Sequence, residues 1–135
     1  MDDAKALEIT SGAIEAGAVA HLRKTLGKLK GDALARLEPQ ERENRIRGWM
    51  DRFFTATTRL DEVSASKVSF TVTACALVRL SRAAGHPELA TAFCRGDASY
   101  FSSLDPPIHL DRPTTIASGG ETCPFRLRLD SEEPA

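Results

Sequence analysis

The spacing of apolar residues changes along this chain, and that change restricts the fold more than any other feature. Before about residue 62 the apolar residues recur at steps of three and four, the period of a helix with one buried face. From Ser66 the period becomes two, because Val68, Phe70 and Val72 are separated by single serine or threonine residues. The chain therefore has to combine helices with at least one strand that buries one face.

Two helices are predicted in the first part. The first covers residues 11–30 and carries apolar residues on one face: Ile14, Ala18, Leu22, Leu26 and Leu29. The second covers residues 40–60, begins just after Pro39, and carries an aromatic stripe that includes Trp49 and Phe53. Its predicted polar face consists of Glu41, Arg42, Glu43, Arg45 and Arg52. An aromatic stripe at helical spacing is typical of a packed core, and we assign it there rather than to a ligand site.

The second part of the chain alternates between the two periods. After the strand, helical spacing returns and stops at Gly85, which places Cys75 at the junction of strand and helix. Pro87 begins a further helix. Two extended segments follow, residues 108–117 and 122–129, and the residues between them suit a hairpin turn.

The predicted order is helix, helix, strand, helix, helix, strand, strand. It indicates an α+β fold in which helices cover a small antiparallel sheet. A length of 135 residues predicts a single domain, with a helical N-terminal part, residues 1–62, and a motif-bearing α+β part, residues 63–130. We expect the acidic tail, residues 130–135, to be frayed.

Charge and composition exclude several kinds of partner. The chain has 18 Lys and Arg against 19 Asp and Glu, so we expect no nucleic-acid partner. The longest uncharged stretch, residues 68–78, is too short to cross a membrane. The acidic N-terminus shows no signal-peptide pattern, and an odd number of cysteines, 3, favours free thiols. Together these features predict a cytoplasmic protein.

Cys94 and Asp97 are the first candidates for chemistry. They are three positions apart on a predicted helix and share one face, so a thiol and a carboxylate can act there as nucleophile and proton-transfer group. Cys75 offers another thiol, because a helix N-terminus lowers the pKa of a cysteine. Each has a structural alternative, in which the cysteines only pack or cap and Asp97 is solvated.

The cysteines do not have the spacing of a metal site. Cys75, Cys94 and Cys123 lie far apart in the sequence, without a Cys-x-x-Cys or Cys/His pair, so we expect no metal ion. The histidines occupy positions typical of surface or locally bonded side chains: His21, His86 and His109.

An arginine near the C-terminus can bind a substrate carboxylate. Arg112 is the candidate, since a guanidinium binds a carboxylate through two parallel hydrogen bonds. The period of two places Arg126 and Arg128 together on the solvated face of the last strand.

Five short motifs occur in a fixed order between residues 66 and 129. They are FTVTAC (70–75), GHPEL (85–89), FCRGD (93–97), LDRPTTI (110–116) and GGETCPFR (119–126). This series resembles the L-2-amino-thiazoline-4-carboxylic acid hydrolase family. The resemblance implies hydrolytic opening of a thiazoline ring to N-carbamoyl-cysteine, without a cofactor. The sequence departs from the family pattern at Thr71 and Pro124, where members often carry Asp.

The resemblance also implies which residues form the site. Cys75, Cys94, Asp97 and Cys123 fall on motif positions, and Arg112 and Thr114 belong to the motif of the C-terminal strand. We expect Cys94 to be the nucleophile, Asp97 to move the proton and Cys75 to be a second thiol in the pocket. We expect the substrate to be bound by Arg112, Thr114 and Cys123. Water activated by Asp97, with the cysteines only shaping the pocket, is an alternative mechanism.

Two further interpretations are compatible with the sequence. One is a sensor that binds a small ligand or a metal without turnover, since the order of elements also resembles 4-vinyl reductase-like domains. The other is a degenerate member that assembles with a partner through its N-terminal helices, whose exposed ends are compatible with a homo-oligomer. Under the enzymatic interpretation, the expected partner is a small-molecule substrate.

Overall fold

The computed structural model describes residues 2–53 and 55–129. The elements in chain order are α1 (Asp3–Leu26), α2 (Gly31–Arg36), α3 (Pro39–Met50), β1 (Ala56–Val63), β2 (Lys67–Cys75), α4 (Ala76–Ala83), a 3-10 turn (Pro87–Leu89), α5 (Ala90–Ser102), β3 (His109–Asp111) and β4 (Cys123–Arg128). The strands form an antiparallel sheet in the order β1-β2-β4-β3. The predicted α+β class is confirmed, and the tail predicted to be frayed lies outside the described residues.

Helix α1 begins eight residues before the predicted start, at Asp3 rather than residue 11. The side chain of Asp2 accepts a hydrogen bond from the backbone N–H of Lys5 at 2.7 Å and so caps the first turn. The helix ends at Leu26 because Gly27 takes a positive φ of 69°, which other residues adopt only with strain. The apolar stripe located the buried half of the helix, but the cap determined where it begins.

The second predicted helix is wrong beyond Met50. Helix α3 ends there, and β1 occupies Ala56–Val63, whose first five residues were predicted to be helical. Antiparallel pairing with β2, in which Leu60 lies opposite Phe70, overrides the helical spacing of the apolar residues. Consecutive β-branched threonines at 57 and 58 fit that strand. The short helix α2 was not predicted.

Arg42 is also placed differently from the prediction. It is not on a solvated face but buried, and only 5% of its surface is exposed. Its guanidinium donates hydrogen bonds to the carbonyl oxygens of Leu34 at 2.9 Å, Ala35 at 2.8 Å and Leu37 at 2.8 Å. These carbonyls lie at the end of α2, where a helix leaves acceptors unpaired, so Arg42 fixes α2 against α3.

Strand β2 and the two helices that follow it confirm the predicted elements. Helix α4 starts directly after Cys75, and Gly85 follows its end with a φ of 79°. Strand β2 pairs with β4 so that Phe70 lies opposite Phe125, with their rings stacked at a centroid distance of 4.8 Å. The centre of the sheet is therefore built from these two strands.

The C-terminal strands pair as predicted, but the first is much shorter than expected. Strand β3 covers only three residues, and residues 112–122 form a loop that closes on itself. In that loop the N–H of Gly120 donates to the carbonyl of Thr115 at 2.9 Å, while Pro113 has no N–H to continue a ladder. The predicted hairpin is thus a strand pair joined by a long, folded connection.

The buried apolar residues fall into two groups. The main core consists of Leu22, Leu29, Leu34, Ile46, Val68, Tyr100, Phe101, Leu104, Ile108, Leu127 and Leu129. A smaller group, here called the sheet-end cluster, consists of Val72, Cys123 and Phe125. Phe70 packs against both groups. Within the described residues, no helix is long and apolar enough to span a membrane.

Candidate functional site

A cavity of about 490 Å³ lies between the helices and the inner face of the sheet. Its walls come from α1, α4, α5, the end of α3 and strands β1, β2 and β4. Five of the six site residues predicted from the sequence line it: Cys75, Cys94, Asp97, Arg112 and Cys123. Residues from distant parts of the chain therefore meet at one cavity, which is of the size typical of small-molecule sites.

Helix α5 holds Cys94 and Asp97 toward this cavity because its position against α1 is fixed. Gly96 lies against α1 so closely that a Cβ atom there would clash with the side chain of Ala18. On the same helix, Arg95 and Ser99 both contact the carboxylate of Glu15, at 3.3 and 3.1 Å. The glycine of the FCRGD motif thus serves helix packing, and Cys94 and Asp97 of the same motif line the cavity.

Arg112 connects the polar groups of the site. Its Nη1 lies 3.3 Å from Oδ2 of Asp97, and its Nη2 donates to the backbone carbonyl of Cys94 at 2.9 Å. The guanidinium also lies over the ring of Phe125, 5.0 Å from the centroid. Only 11% of the Arg112 side chain is exposed. These contacts hold a cation at the cavity wall with a defined orientation.

Asp97 is an acid whose ionisation is unfavourable in this position. Burial raises its pKa to about 6, although the charge of Arg112 and the hydrogen bond from Arg112 both act in the opposite direction. A carboxyl group with this pKa is mostly ionised at neutral pH and still exchanges its proton easily. It is therefore suited to general acid–base catalysis.

The thiols of the site are free, as predicted. Burial raises the pKa of Cys94, and Arg112 only partly offsets this effect. Burial also raises the pKa of Cys123, whose Sγ accepts a hydrogen bond from the N–H of Ile116 at 3.1 Å. Cys75 is the N-cap residue of α4, but its side chain makes no capping hydrogen bond. Cys94 and Cys123 are thus neutral thiols near pH 7.

Thr114 does not line the cavity. It lies in the loop after β3, where its hydroxyl group lies against Gly120 so closely that a Cβ atom at that glycine would clash with it. The side chain therefore packs within the loop that carries Arg112. In this position Thr114 is not placed to contact a ligand in the cavity, as was predicted for it.

Several lining residues were not identified as site residues from the sequence. Trp49 and Phe53, assigned to the core, pack against the main core and also line the cavity. His21 on α1 and Phe93 on α5 line it as well. A hydrophobic period reports that a side chain faces inward, but it does not distinguish a packed interior from the wall of a cavity. No signal in the sequence separates the two.

The two departures from the family motifs lie away from the cavity. Thr71 and Pro124 are opposite each other across β2 and β4, and neither lines the cavity. The Thr71 hydroxyl group donates a hydrogen bond to the carboxylate of Asp61 on β1, and this bond lowers the pKa of Asp61. A carboxylate therefore does lie beside position 71, but it comes from a neighbouring strand.

The remaining candidates from the sequence do not form a site together. Arg126 is exposed, which agrees with its predicted place on the solvated face, and it lies 3.5 Å from the carboxylate of Asp111. His86 lies 3.1 Å from Glu88 at the surface, and His109 is exposed on β3. Within residues 2–53 and 55–129, no three His, Cys, Asp or Glu side chains are grouped as metal ligands.

Comparison with known proteins gives one family. The family model described as L-2-amino-thiazoline-4-carboxylic acid hydrolase matches residues 1–127 of the 135-residue chain. The match includes the N-terminal helices as well as the motif-bearing part. No curated protein and no protein of solved structure shows significant similarity to the chain.

Proposed function

The chain belongs to the L-2-amino-thiazoline-4-carboxylic acid hydrolase family, and on this premise we propose that it opens a thiazoline-type cyclic amidine ring by hydrolysis at Asp97 and Arg112. The observation that carries the proposal is the ion pair between these two residues, at 3.3 Å, on the wall of a cavity large enough for the ring. It supplies a fixed cation and a proton-transfer group side by side.

The ion pair offers complementary contacts to both charged parts of such a substrate. A guanidinium has five N–H donors in a fixed plane, and only two of the Arg112 nitrogens, Nη1 and Nη2, are engaged with the protein. The free donors can bind the substrate carboxylate. Asp97 can accept hydrogen bonds from the amidine N–H groups. Binding in this way places the ring carbon between nitrogen and sulfur close to the Asp97 carboxylate.

The hydrolysis consumes one water molecule and breaks the ring carbon–sulfur bond. The ring carbon is electrophilic once its nitrogen is protonated. Asp97 takes a proton from water as the oxygen adds to that carbon, and the tetrahedral adduct then expels sulfur. The proton held by Asp97 goes to the leaving sulfur, and the hydroxyl proton of the adduct is released to solvent as the carbonyl forms, which balances the proton that the ring nitrogen took up. The product carries a carbamoyl group on nitrogen and a free thiol, and Asp97 returns to its ionised form.

Attack by water suits this site better than attack by Cys94. The pKa of Cys94 is raised by burial, so a thiolate has to be generated before it can act as the nucleophile. Within residues 2–53 and 55–129, Asp97 is the only carboxylate that lines the cavity, so it serves as the base in either route. The nucleophilic Cys94 predicted from the sequence therefore remains the second route, and variants of the two residues separate them.

The test follows thiol release from L-2-amino-thiazoline-4-carboxylate by the purified protein. We expect Asp97→Asn to lower kcat/KM by about 10²- to 10³-fold, because it removes the proton-transfer group while keeping the shape. Cys94→Ala should remain within about tenfold of wild type, since it changes the cavity wall but not the base. Asp111→Asn is the matched control, because Asp111 is exposed and does not line the cavity.

Each other result has a defined meaning. Full activity in Asp97→Asn contradicts the assignment of the base, and full activity in both variants contradicts the site. Loss of all activity in Cys94→Ala establishes the cysteine route instead. Binding of the ring compound without any thiol release identifies a ligand sensor rather than an enzyme.

A further inference from the structure

The cavity is much larger than the ring that gives the family its name. Such a thiazoline carboxylate has about nine non-hydrogen atoms and occupies roughly 150 Å³ at the packing density of proteins. The cavity measures about 490 Å³. With the ring bound at Asp97 and Arg112, most of the volume stays empty.

The empty part differs in chemistry from the part that holds the ion pair. The polar end contains Asp97, Arg112 and members of the sheet-end cluster. The opposite end is lined by members of the main core and by aromatic side chains packed against it: Leu22, Leu29, Phe101, Leu127, Trp49 and Phe53. Arg52 also lines the cavity, and its guanidinium is held by the carbonyl of Thr25 at 2.9 Å. The cavity therefore has one end that holds the ion pair and an opposite end whose lining is apolar apart from the exposed Arg52, here called the apolar end.

The lining residues also show that the cavity is long. On α1 they extend from Ile14 to Leu26, a distance of about 18 Å along a helix. On β4 they extend from Cys123 to Leu127, about 13 Å along a strand. Ala18 on α1 contacts Gly96, next to Asp97, so Leu26 lies two turns farther toward the apolar end. A ring compound of the size above spans only part of this length.

Protein interiors are normally packed at the density of organic crystals, and an apolar void of this size reduces stability. A partly open cavity of this size, lined by Leu, Phe and Trp side chains, is suited to an apolar group of a ligand. The end that holds the ion pair fixes where the polar group of that ligand lies. The two ends together require an amphiphilic occupant.

We propose, on the premise of the hydrolase function above, that the substrate is a thiazoline-type carboxylate carrying an apolar chain on the side of the ring remote from the carboxylate. The ring lies at Asp97 and Arg112, and the chain extends between α1 and β4 toward Leu26 and Trp49. The volume left by the ring accommodates roughly ten carbon atoms.

The test compares ring compounds that differ only in an alkyl group on the exocyclic nitrogen: none, butyl and octyl. We expect kcat/KM for thiol release to rise about fourfold for each methylene that is buried, so the octyl compound should exceed the unsubstituted one by at least about 10²-fold. A kcat/KM that is unchanged or lower along the series, with the unsubstituted ring still hydrolysed, overturns the inference and leaves the hydrolase function standing.

A variant at the apolar end locates the chain. Leu26→Trp fills this end, and it should reduce the ratio of kcat/KM between octyl and unsubstituted compounds by at least about tenfold. Leu80→Trp is the matched control, because Leu80 is 65% exposed and does not line the cavity, so the ratio should not change. Leu26→Phe is the smaller substitution, and it should change the ratio in the same direction if Leu26→Trp does not fold. A ratio unaffected by a folded Leu26 variant contradicts the placement.

A binding measurement keeps the two proposals distinguishable. Trp49 is the single tryptophan of the chain and lines the apolar end, so its fluorescence reports an occupant there. Chain-length-dependent changes in this fluorescence without thiol release support the amphiphilic ligand and overturn the hydrolase function. If the compounds cause no change in fluorescence and no thiol is released, both proposals are overturned.

Discussion

Arg42 is buried and Arg112 is largely shielded from solvent, and the two differ in what surrounds the guanidinium. Arg42, between α2 and α3, donates to three backbone carbonyls. Arg112, at the cavity, donates to one carbonyl and pairs with Asp97. A guanidinium occupied by carbonyls has fixed partners and no role beyond holding the backbone. One paired with a carboxylate at a cavity wall still has donors and a charge available to a ligand.

The difference also appears in the partners of each arginine. The carbonyls around Arg42 lie at a helix end, where backbone acceptors lack helical partners, so the contact satisfies both the guanidinium and the helix end. Asp97 beside Arg112 keeps a pKa raised to about 6 by burial, so the neighbouring cation does not fully compensate for its burial. Groups held in an unfavourable charge state are characteristic of catalytic sites. Burial of an arginine therefore does not point to a functional site, whereas incomplete compensation of its partner makes the pair a candidate for one.

The largest expected effect is on stability, at Arg42. Arg42→Ala leaves the carbonyls of Ala35 and Leu37 without the guanidinium donor and removes a buried side chain, and it should reduce the free energy of unfolding by about 4 kcal/mol. Urea unfolding checks this value. Arg45→Ala is the matched control, because Arg45 is exposed and pairs only with Glu41 at 3.8 Å, and its effect should be within about 0.5 kcal/mol. Equal effects of the two substitutions would contradict the structural role of Arg42.

The next effect is on activity, at Arg112. Arg112→Lys keeps the charge but loses the planar set of donors, and it should lower kcat/KM for ring opening by about 10²-fold, mainly through KM. Steady-state kinetics measures this loss. Arg126→Lys on the exposed face of β4 is the control and should be neutral. If Arg112→Lys keeps wild-type kinetics while its stability falls, Arg112 is a structural residue like Arg42. The proposed difference in role between the two arginines is then wrong.

The smallest effect is the pH dependence of stability caused by Asp97. Its pKa is about 6 in the folded protein, against an ordinary value of 3.8 for an aspartate. Between these pH values the folded state holds a proton that the unfolded state has lost, so stability falls as pH rises from about 4 to 6. Asp97→Asn removes this loss but leaves Arg112 without its ionic partner. Relative to wild type, its free energy of unfolding should therefore increase by about 1 to 2 kcal/mol between pH 4 and pH 7.

Urea unfolding of both proteins at pH 4, 5, 6 and 7 measures this difference. Asp111→Asn serves as the control, since Asp111 is exposed. A difference between wild type and Asp97→Asn that stays constant over this range would show that Asp97 has an ordinary pKa. In that case burial does not disfavour the ionised form of Asp97, and the partner of Arg112 no longer differs electrostatically from the carbonyl partners of Arg42 in the way described above.

Much of the fold could be predicted because it depends on neighbours in the sequence. Alternation over Val68, Phe70 and Val72 predicted β2, and Gly85 predicted the end of α4. Strand β1 could not be predicted, because its apolar residues also fit a helical period and only pairing with β2 selects the strand. The burial of Arg42 was missed for a similar reason, since its acceptors belong to a separate helix.

For the candidate site, the sequence identified residue types but not their arrangement. The spacing of Cys94 and Asp97 placed them on one helix face, and Arg112 was named as the carboxylate-binding group. The ion pair between Arg112 and Asp97, at 3.3 Å, depends on how the loop after β3 folds over α5. The close approach of α5 to α1 depends on Gly96, where a Cβ atom would clash with Ala18. Neither the ion pair nor the packing of α5 against α1 follows from a local sequence pattern.

The sequence by itself determined the α+β class, the free thiols and the family, because periodicity, cysteine number and motif order act along the chain. The tertiary structure alone decided that Arg112 holds Asp97, that this carboxyl group has a raised pKa, and that an apolar space extends beyond the pair. The physical reason is that the electrostatic energy of a charge and the volume of a cavity depend on all surrounding atoms. Those atoms come from α1, α5, β4 and the loop after β3, and only folding brings them together.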